Sequence, residues 1–287
     1  MLTIAKLSYK ETLYKRIFLI TILMTLAYVL FYGIATHYAA KQIGDQLSNE
    51  IGAAQMEQQM LATQLIGVGL YFASFITALL SILATVGSIA GEIESHQIDT
   101  ILSRPLHRRD VVLGKFIGLG GLLVIYAACL FIAILLVNLN FGGALHVSVP
   151  ASSMLTGMLL FALQPLILIA VALWLSARMS TINGGIILII LYGIGFVGGF
   201  LEQIGQALNN HALVNIGIVS SLVFPLDSLF RRTMSQLFNS ANDPLNIAAQ
   251  GLFGSLAEPT TSMLIYTLLY GVVFLLFAMR KFSKRDL

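Results

Sequence analysis

The stretch Gly91-Glu92-Ile93-Glu94-Ser95-His96-Gln97-Ile98-Asp99-Thr100-Ile101-Leu102-Ser103-Arg104-Pro105-Leu106-His107-Arg108-Arg109-Asp110-Val111-Val112-Leu113-Gly114-Lys115 decides the fold. It carries four acids and four bases. Residues 64–90 before it have no Asp, Glu, Lys or Arg, and none occurs after it until Arg178. A short charged hinge between two apolar runs of membrane-crossing length is where a membrane protein meets water. The spacing predicts a helix over 92–102. Ile98, Ile101 and Leu102 form its apolar stripe, and Glu92, Glu94 and Asp99 stay solvated. Arg104-Pro105 stops that helix, and Asp110 is the expected N-cap of the next one. The plainer reading of the stretch is a solvated loop.

Composition agrees with a membrane protein. Of 287 residues 57% are hydrophobic and 10% charged, with a mean hydropathy of +0.88, against about 25% charged in soluble domains. The expected architecture is all-α, one membrane domain over 1–287 with six transmembrane helices. The spans fall at about 17–35, 65–90, 116–137, 154–177, 185–201 and 263–279. The net charge of +3 is then a topology signal. The one cysteine, Cys129, lies in an apolar run, so no internal disulfide forms.

Residues 1–16 carry Lys6, Lys10, Lys15 and Arg16 before an apolar run too long for a signal peptide. They read as an amphipathic interface helix with Leu2, Ala5, Tyr9 and Leu13 on one face. Residues 37–63 are polar and keep helical spacing, so they extend the helices outside the membrane. Gly114, Gly118 and Gly121 open one face of span 3 to close helix approach. Gln164-Pro165 predicts a kink in span 4. Gly193-Ile194-Gly195-Phe196-Val197-Gly198 spells a dinucleotide fingerprint, but no strand precedes it; packing through Gly195 and Gly199 is the expected role. Residues 212–224 are apolar but too short to span. With Pro225-Leu226-Asp227 they suggest a re-entrant or interfacial element on the exterior side, over 202–262. With both termini inside, thirteen of the sixteen Lys and Arg are cytoplasmic and only Lys41, Arg231 and Arg232 are outside.

No span within these bounds holds Asp, Glu, Lys, Arg or His, which speaks against ion-coupled transport. The chain has no G-x-x-x-x-G-K-[ST] loop and no H-E-x-x-H. It offers no cysteine pair for zinc and no Ser/His or carboxylate pair for proteolysis. No catalytic, cofactor or metal residue is expected. What remains is a membrane machine whose energy arrives from outside, through the hinge.

The hinge resembles the loop between spans 2 and 3 of ABC-2-type permeases, the membrane subunits of ATP-binding-cassette exporters. That pattern is acidic-x-acidic, Gly-Thr, a short apolar helix, Leu-Ser-x-Pro, basic residues and Gly-Lys. Here Glu92-Ile93-Glu94, Ile98-Asp99-Thr100-Ile101-Leu102, Ser103-Arg104-Pro105, Arg108-Arg109 and Gly114-Lys115 match, while His96-Gln97 replaces Gly-Thr. The opening Ile4-Ala5-Lys6-Leu7-Ser8-Tyr9-Lys10-Glu11 and Ser221-Leu222-Val223-Phe224-Pro225-Leu226-Asp227 are similar to the same family. The nearest branch resembles permeases linked to multicopper-enzyme maturation. The resemblance implies a cytosolic ATPase subunit docking on a coupling helix at Glu92, Glu94, Ile98, Asp99, Thr100, Ile101, Leu102, Ser103, Arg104 and Pro105. It also implies a second permease chain, homodimeric or heterodimeric, in the plasma membrane, and ATP and magnesium held by the partner. The competing reading is a scaffold or sensor partner that uses the same loop without transport.

Overall fold

A computed structural model of the chain describes residues 2–47, 53–97, 107–145, 147, 149–238 and 259–284. The described residues fold into α-helices with one short 3-10 turn. The helices are α1 (Leu2–Tyr14), α2 (Arg16–Leu47), α3 (Ala53–Thr85), α4 (Gly87–Glu94), α5 (Arg108–Phe141), α6 (Ala151–Arg178), α7 (Thr181–Ala207), α8 (His211–Val223), α9 (Leu226–Phe238) and α10 (Thr261–Ser283). Six stretches are long and apolar enough to cross a membrane: α2, α3 with α4, α5, α6, α7 and α10. Each is longer than its apolar run, because a helix satisfies its own backbone and can continue into polar sequence.

Burial ranks the spans. In α6 and in α3–α4, 67% of the most apolar window is buried, against 22% in α2 and 17% in α10. The α6 helix is therefore the axis, packed on α3, α5, α9 and α10, and it runs through Pro165 without a break in helical structure. The outer helices turn Leu19, Leu30, Phe31, Ile189 and Leu269 outward. In water these would be a liability; in lipid they are the solvated face.

One core cluster joins Ile4, Phe18, Ile89, Val111, Ala177 and Phe282. It places the N-terminal helix, the base of the hinge, the last turn of α6 and the C-terminal helix at one end of the bundle. This is the hinge end of the bundle. A second cluster, around Tyr32, Leu70, Phe131, Phe161 and Met234, fills the bundle farther on.

The N-terminal helix forms, with most of its expected apolar face turned away from the bundle. It lays Ile4, Ala5, Ser8 and Thr12 on α5, while Leu2, Tyr9 and Leu13 are exposed. Small residues win the contact because Gly118 has no side chain: a Cβ there would run into the Ala5 carbonyl. Gly114 is buried on the same helix, whereas Gly121 has nothing within 4 Å of a Cβ position. Two boundaries differ from the expected ones. The N-cap of α5 is His107, and Asp110 sits in the first turn, where a carboxylate favours the helix dipole. Helix α4 ends at Glu94, because His96 takes a left-handed backbone conformation (φ 56°) that stops the helix; the expected helix over 92–102 is thus interrupted.

Beyond α7 the chain turns back as α8 and α9, bent by 107° at Phe224-Pro225. Two of the three fingerprint-like glycines, Gly195 and Gly198, lie on this seam, as does Gly199. A Cβ at Gly195 would press on the Phe224 carbonyl at 2.7 Å, and one at Gly199 would overlap the Asp227 carboxylate. Gly193 meets nothing within 4 Å.

Candidate functional site

The hinge end is built on α4. This helix begins just after a minor break at Val86, so its first N–H groups have no partner within the helix. Ser176, from α6, supplies one. Its Oγ accepts from Ile89 N at 3.2 Å and Ala90 N at 2.9 Å, and its hydroxyl donates to the Val86 carbonyl at 2.6 Å. Ser176 is 1% exposed, so this joint is dry.

A second joint ties α4 to α5. Lys115 Nζ donates to Glu92 Oε1 at 2.5 Å and to the Ser88 carbonyl. Lys115 is 2% exposed and Glu92 8%. Glu92 is therefore not a solvated acid, as the helical spacing suggested, and Lys115 is not a free hinge base. A third joint ties α4 to α7: Glu94 accepts from Thr181 N at 2.9 Å and from the Thr181 hydroxyl at 3.1 Å. The α7 N-cap, Ser180, makes no side-chain cap bond. Glu94 thus caps α7 from another helix and places negative charge at its positive end.

Glu92 and Glu94 are accordingly brought to the hinge base with defined partners. The other expected docking residues, Ile98, Asp99, Thr100, Ile101, Leu102, Ser103, Arg104 and Pro105, lie outside the described residues. Ser176, Thr181 and the partnership of Lys115 were not foreseen. Lys115 had a faint signal in the Gly114-Lys115 pair; a serine and a threonine in long apolar context gave none.

A second charged cluster lies away from the hinge. Arg231 on α9 donates from Nη2 to Glu202 Oε2 of α7 at 2.8 Å. Its Nε lies 2.9 Å from Asp227 Oδ2, one turn back on the same helix. That second approach is a charge contact whose alignment falls short of a hydrogen bond. All three residues are at most 9% exposed. Arg232 donates to the Pro259 carbonyl at 3.2 Å. The two arginines that fitted the base count least are thus anchored to protein. The expectation that spans carry no ionisable group holds for their apolar centres. Glu92, Lys115 and Glu202 sit on the helical extensions beyond them, tolerated because each is paired.

No described residues form a group of three or more His, Cys, Asp or Glu suited to a metal. The hinge base has a buried carboxylate–ammonium pair that holds α4 and α5 together.

These features define a multi-pass helical membrane protein with a braced short helix, α4, at one end. Residues 2–287 match the family described as ABC-2 family transporter protein, and the chain belongs to that family. It is thereby a permease of the ABC transporter class, whose members generally work with a cytosolic ATPase subunit. No curated protein is similar enough to match.

Proposed function

We propose that this chain is the passive membrane half of an ATP-driven exporter, moved by a separate cytosolic ATPase subunit that docks on residues 95–107. The supporting observation is the triple bracing of α4. Eight residues of helix, a lever of roughly 12 Å, are fixed to α5 by Lys115, to α6 by Ser176 and to α7 by Glu94. A push on the loop does not bend one helix. It shifts four spans as a body, the rigid-body mode by which packed interfaces switch.

In this reading Ile98, Ile101 and Leu102 supply the apolar docking stripe, with Asp99, Thr100, Ser103, Arg104 and Pro105 around it. ATP and magnesium belong to the partner, and this chain catalyses nothing. The hinge end faces the cytoplasm of the plasma membrane, since the N-terminal, hinge and C-terminal bases gather there. Residues 202–262 form a re-entrant or interfacial segment on the exterior side. A second permease chain completes the path. Export, and kinship with the branch linked to multicopper-enzyme maturation, rest on resemblance alone.

The test is co-expression with an ATP-binding-cassette ATPase encoded beside this gene. Ile98→Asp and Leu102→Asp should each abolish co-purification while membrane insertion is unchanged, because a charge on the stripe is desolvated without a partner. Full recovery of the ATPase with both variants refutes docking at this loop.

A further inference from the structure

A line of polar groups crosses the bundle above the hinge end, from α3 through α6 and α9 to α7. Ser74 on α3 donates to Gln164 Oε1 on α6 at 2.7 Å. On the far side, Asp227 on α9 meets Arg231, which meets Glu202 on α7. Between Gln164 and Asp227 the line is interrupted by a cavity of about 20 Å³ that both residues line.

Two buried polar groups without hydrogen-bond partners belong to residues that line that cavity. Gln164 is 3% exposed, and its Nε2 has no hydrogen-bond partner. A buried amide N–H without an acceptor is unfavourable, and such groups in folded proteins nearly always find one. Asp227 lines the same cavity, and its Oδ2 has no hydrogen-bond partner among the described residues. With Glu202, Asp227 and Arg231 ionised, two negative charges share one positive charge, so the cluster has negative charge to spare. What fits is a small neutral group that accepts one hydrogen bond and donates another. An anion is refused by Asp227. A bulky group is refused by the walls of Tyr71, Tyr192, Phe196 and Phe230. The volume exceeds the ~10–15 Å³ that one water molecule needs.

We propose that this cavity is a binding site for a single ordered water, accepting from Gln164 Nε2 and donating to the Asp227 carboxylate. The water completes the polar line and makes the bent α8–α9 pair a solvent-bridged neighbour of the central helix. The joint differs in kind from the dry joints of the hinge. This site stands independently of the docking proposal.

The test uses the full chain, labelled with ¹⁵N-glutamine and reconstituted in lipid nanodiscs. The Gln164 side-chain amide, assigned by its disappearance in Gln164→Leu, should show cross-relaxation with water of the sign that marks a long-lived bound molecule. Ala78 also lines the cavity. Ala78→Val should remove that signal while the Gln164 resonance itself remains. Electron cryomicroscopy of the unmodified chain should show density within hydrogen-bonding distance of both Gln164 and Asp227. The site is refuted by absence of cross-relaxation in the unmodified chain, by its persistence in a folded Ala78→Val protein, or by density placing Gln164 directly on Asp227. Saturable stabilisation by ammonium ions that depends on Gln164 would also overturn it, since the occupant would then be a cation.

Discussion

Replacing Lys115 by methionine removes the only described partner of the Glu92 carboxylate. Methionine keeps the length of the side chain and its apolar contacts, so the change isolates the ammonium. In the native chain Lys115 Nζ lies 2.5 Å from Glu92 Oε1 at 2% exposure, and Glu92 Oε2 has no hydrogen bond. Without Lys115 a carboxylate is stranded in a dry site between α4 and α5. Breaking one side of such a pair costs about 3–5 kcal/mol, more than a hundredfold in the folding equilibrium at about 1.4 kcal/mol per decade. Removing both charges, Glu92→Met with Lys115→Met, should recover most of that loss, because an apolar pair of similar volume is often neutral or better. The assay is reversible unfolding in mixed micelles, followed by helical circular dichroism, for the two single variants and the double. A cost for Lys115→Met below about 1 kcal/mol, the range of a solvated ion pair, would refute the buried joint. So would a double variant as unstable as the single, since the penalty would then not come from the stranded charge.

Other expectations follow from the same geometry. Gly199→Ala drives a Cβ into the Asp227 carboxylate and should lower stability by about 1–3 kcal/mol, while Gly121→Ala, with open space around it, should stay within about 0.5 kcal/mol; both are read in the same unfolding assay. Asn210 caps α8, its side chain accepting from Ala212 N and Leu213 N. Asn210→Ala should cost about 1 kcal/mol, and an unchanged unfolding midpoint would mean the cap is not formed in the membrane. Ser176→Ala removes the dry joint between α4 and α6. It should leave ATPase co-purification intact and reduce transport-coupled ATP hydrolysis; unimpaired coupling would show that α6 is not driven through this joint. Single cysteines at Ser95 and Ser283 should react with a membrane-impermeant maleimide only from the cytoplasm, and cysteines at Gln58 and Ser240 only from outside. Cytoplasmic labelling at Ser240 would invert the path of 202–262.

The helical class and the six spans were legible because membrane-length apolar runs have no soluble explanation. The positions of Gly118, Gly195 and Gly199 were legible for the same reason, since a small residue in such a run is of use mainly at a contact. The packed face of α1 was not. Helical spacing grouped Leu2, Tyr9 and Leu13 as a face for the membrane surface, and they are exposed. It carried no sign of the protein-facing side, where Ala5, Ser8 and Thr12 let the backbones meet. Glu92 was misread. A carboxylate beside a loop looks solvated, and its partner is 23 residues away on another helix, beyond any local spacing rule. Asp227 and Arg231 stand one turn apart, so that pair was within reach of the i,i+4 rule. Glu202, which completes it, was not, because only the bend at Phe224-Pro225 brings α9 back to α7.

The most direct test of the account is photocrosslinking from the hinge. A diazirine attached to Asp99→Cys in the membrane-embedded chain should capture a single soluble subunit that hydrolyses ATP. Excess Asp99→Cys chain lacking the diazirine should compete that capture away. If the crosslinker reaches no nucleotide-hydrolysing protein under conditions where the intact cell still exports, the chain is not moved through its hinge.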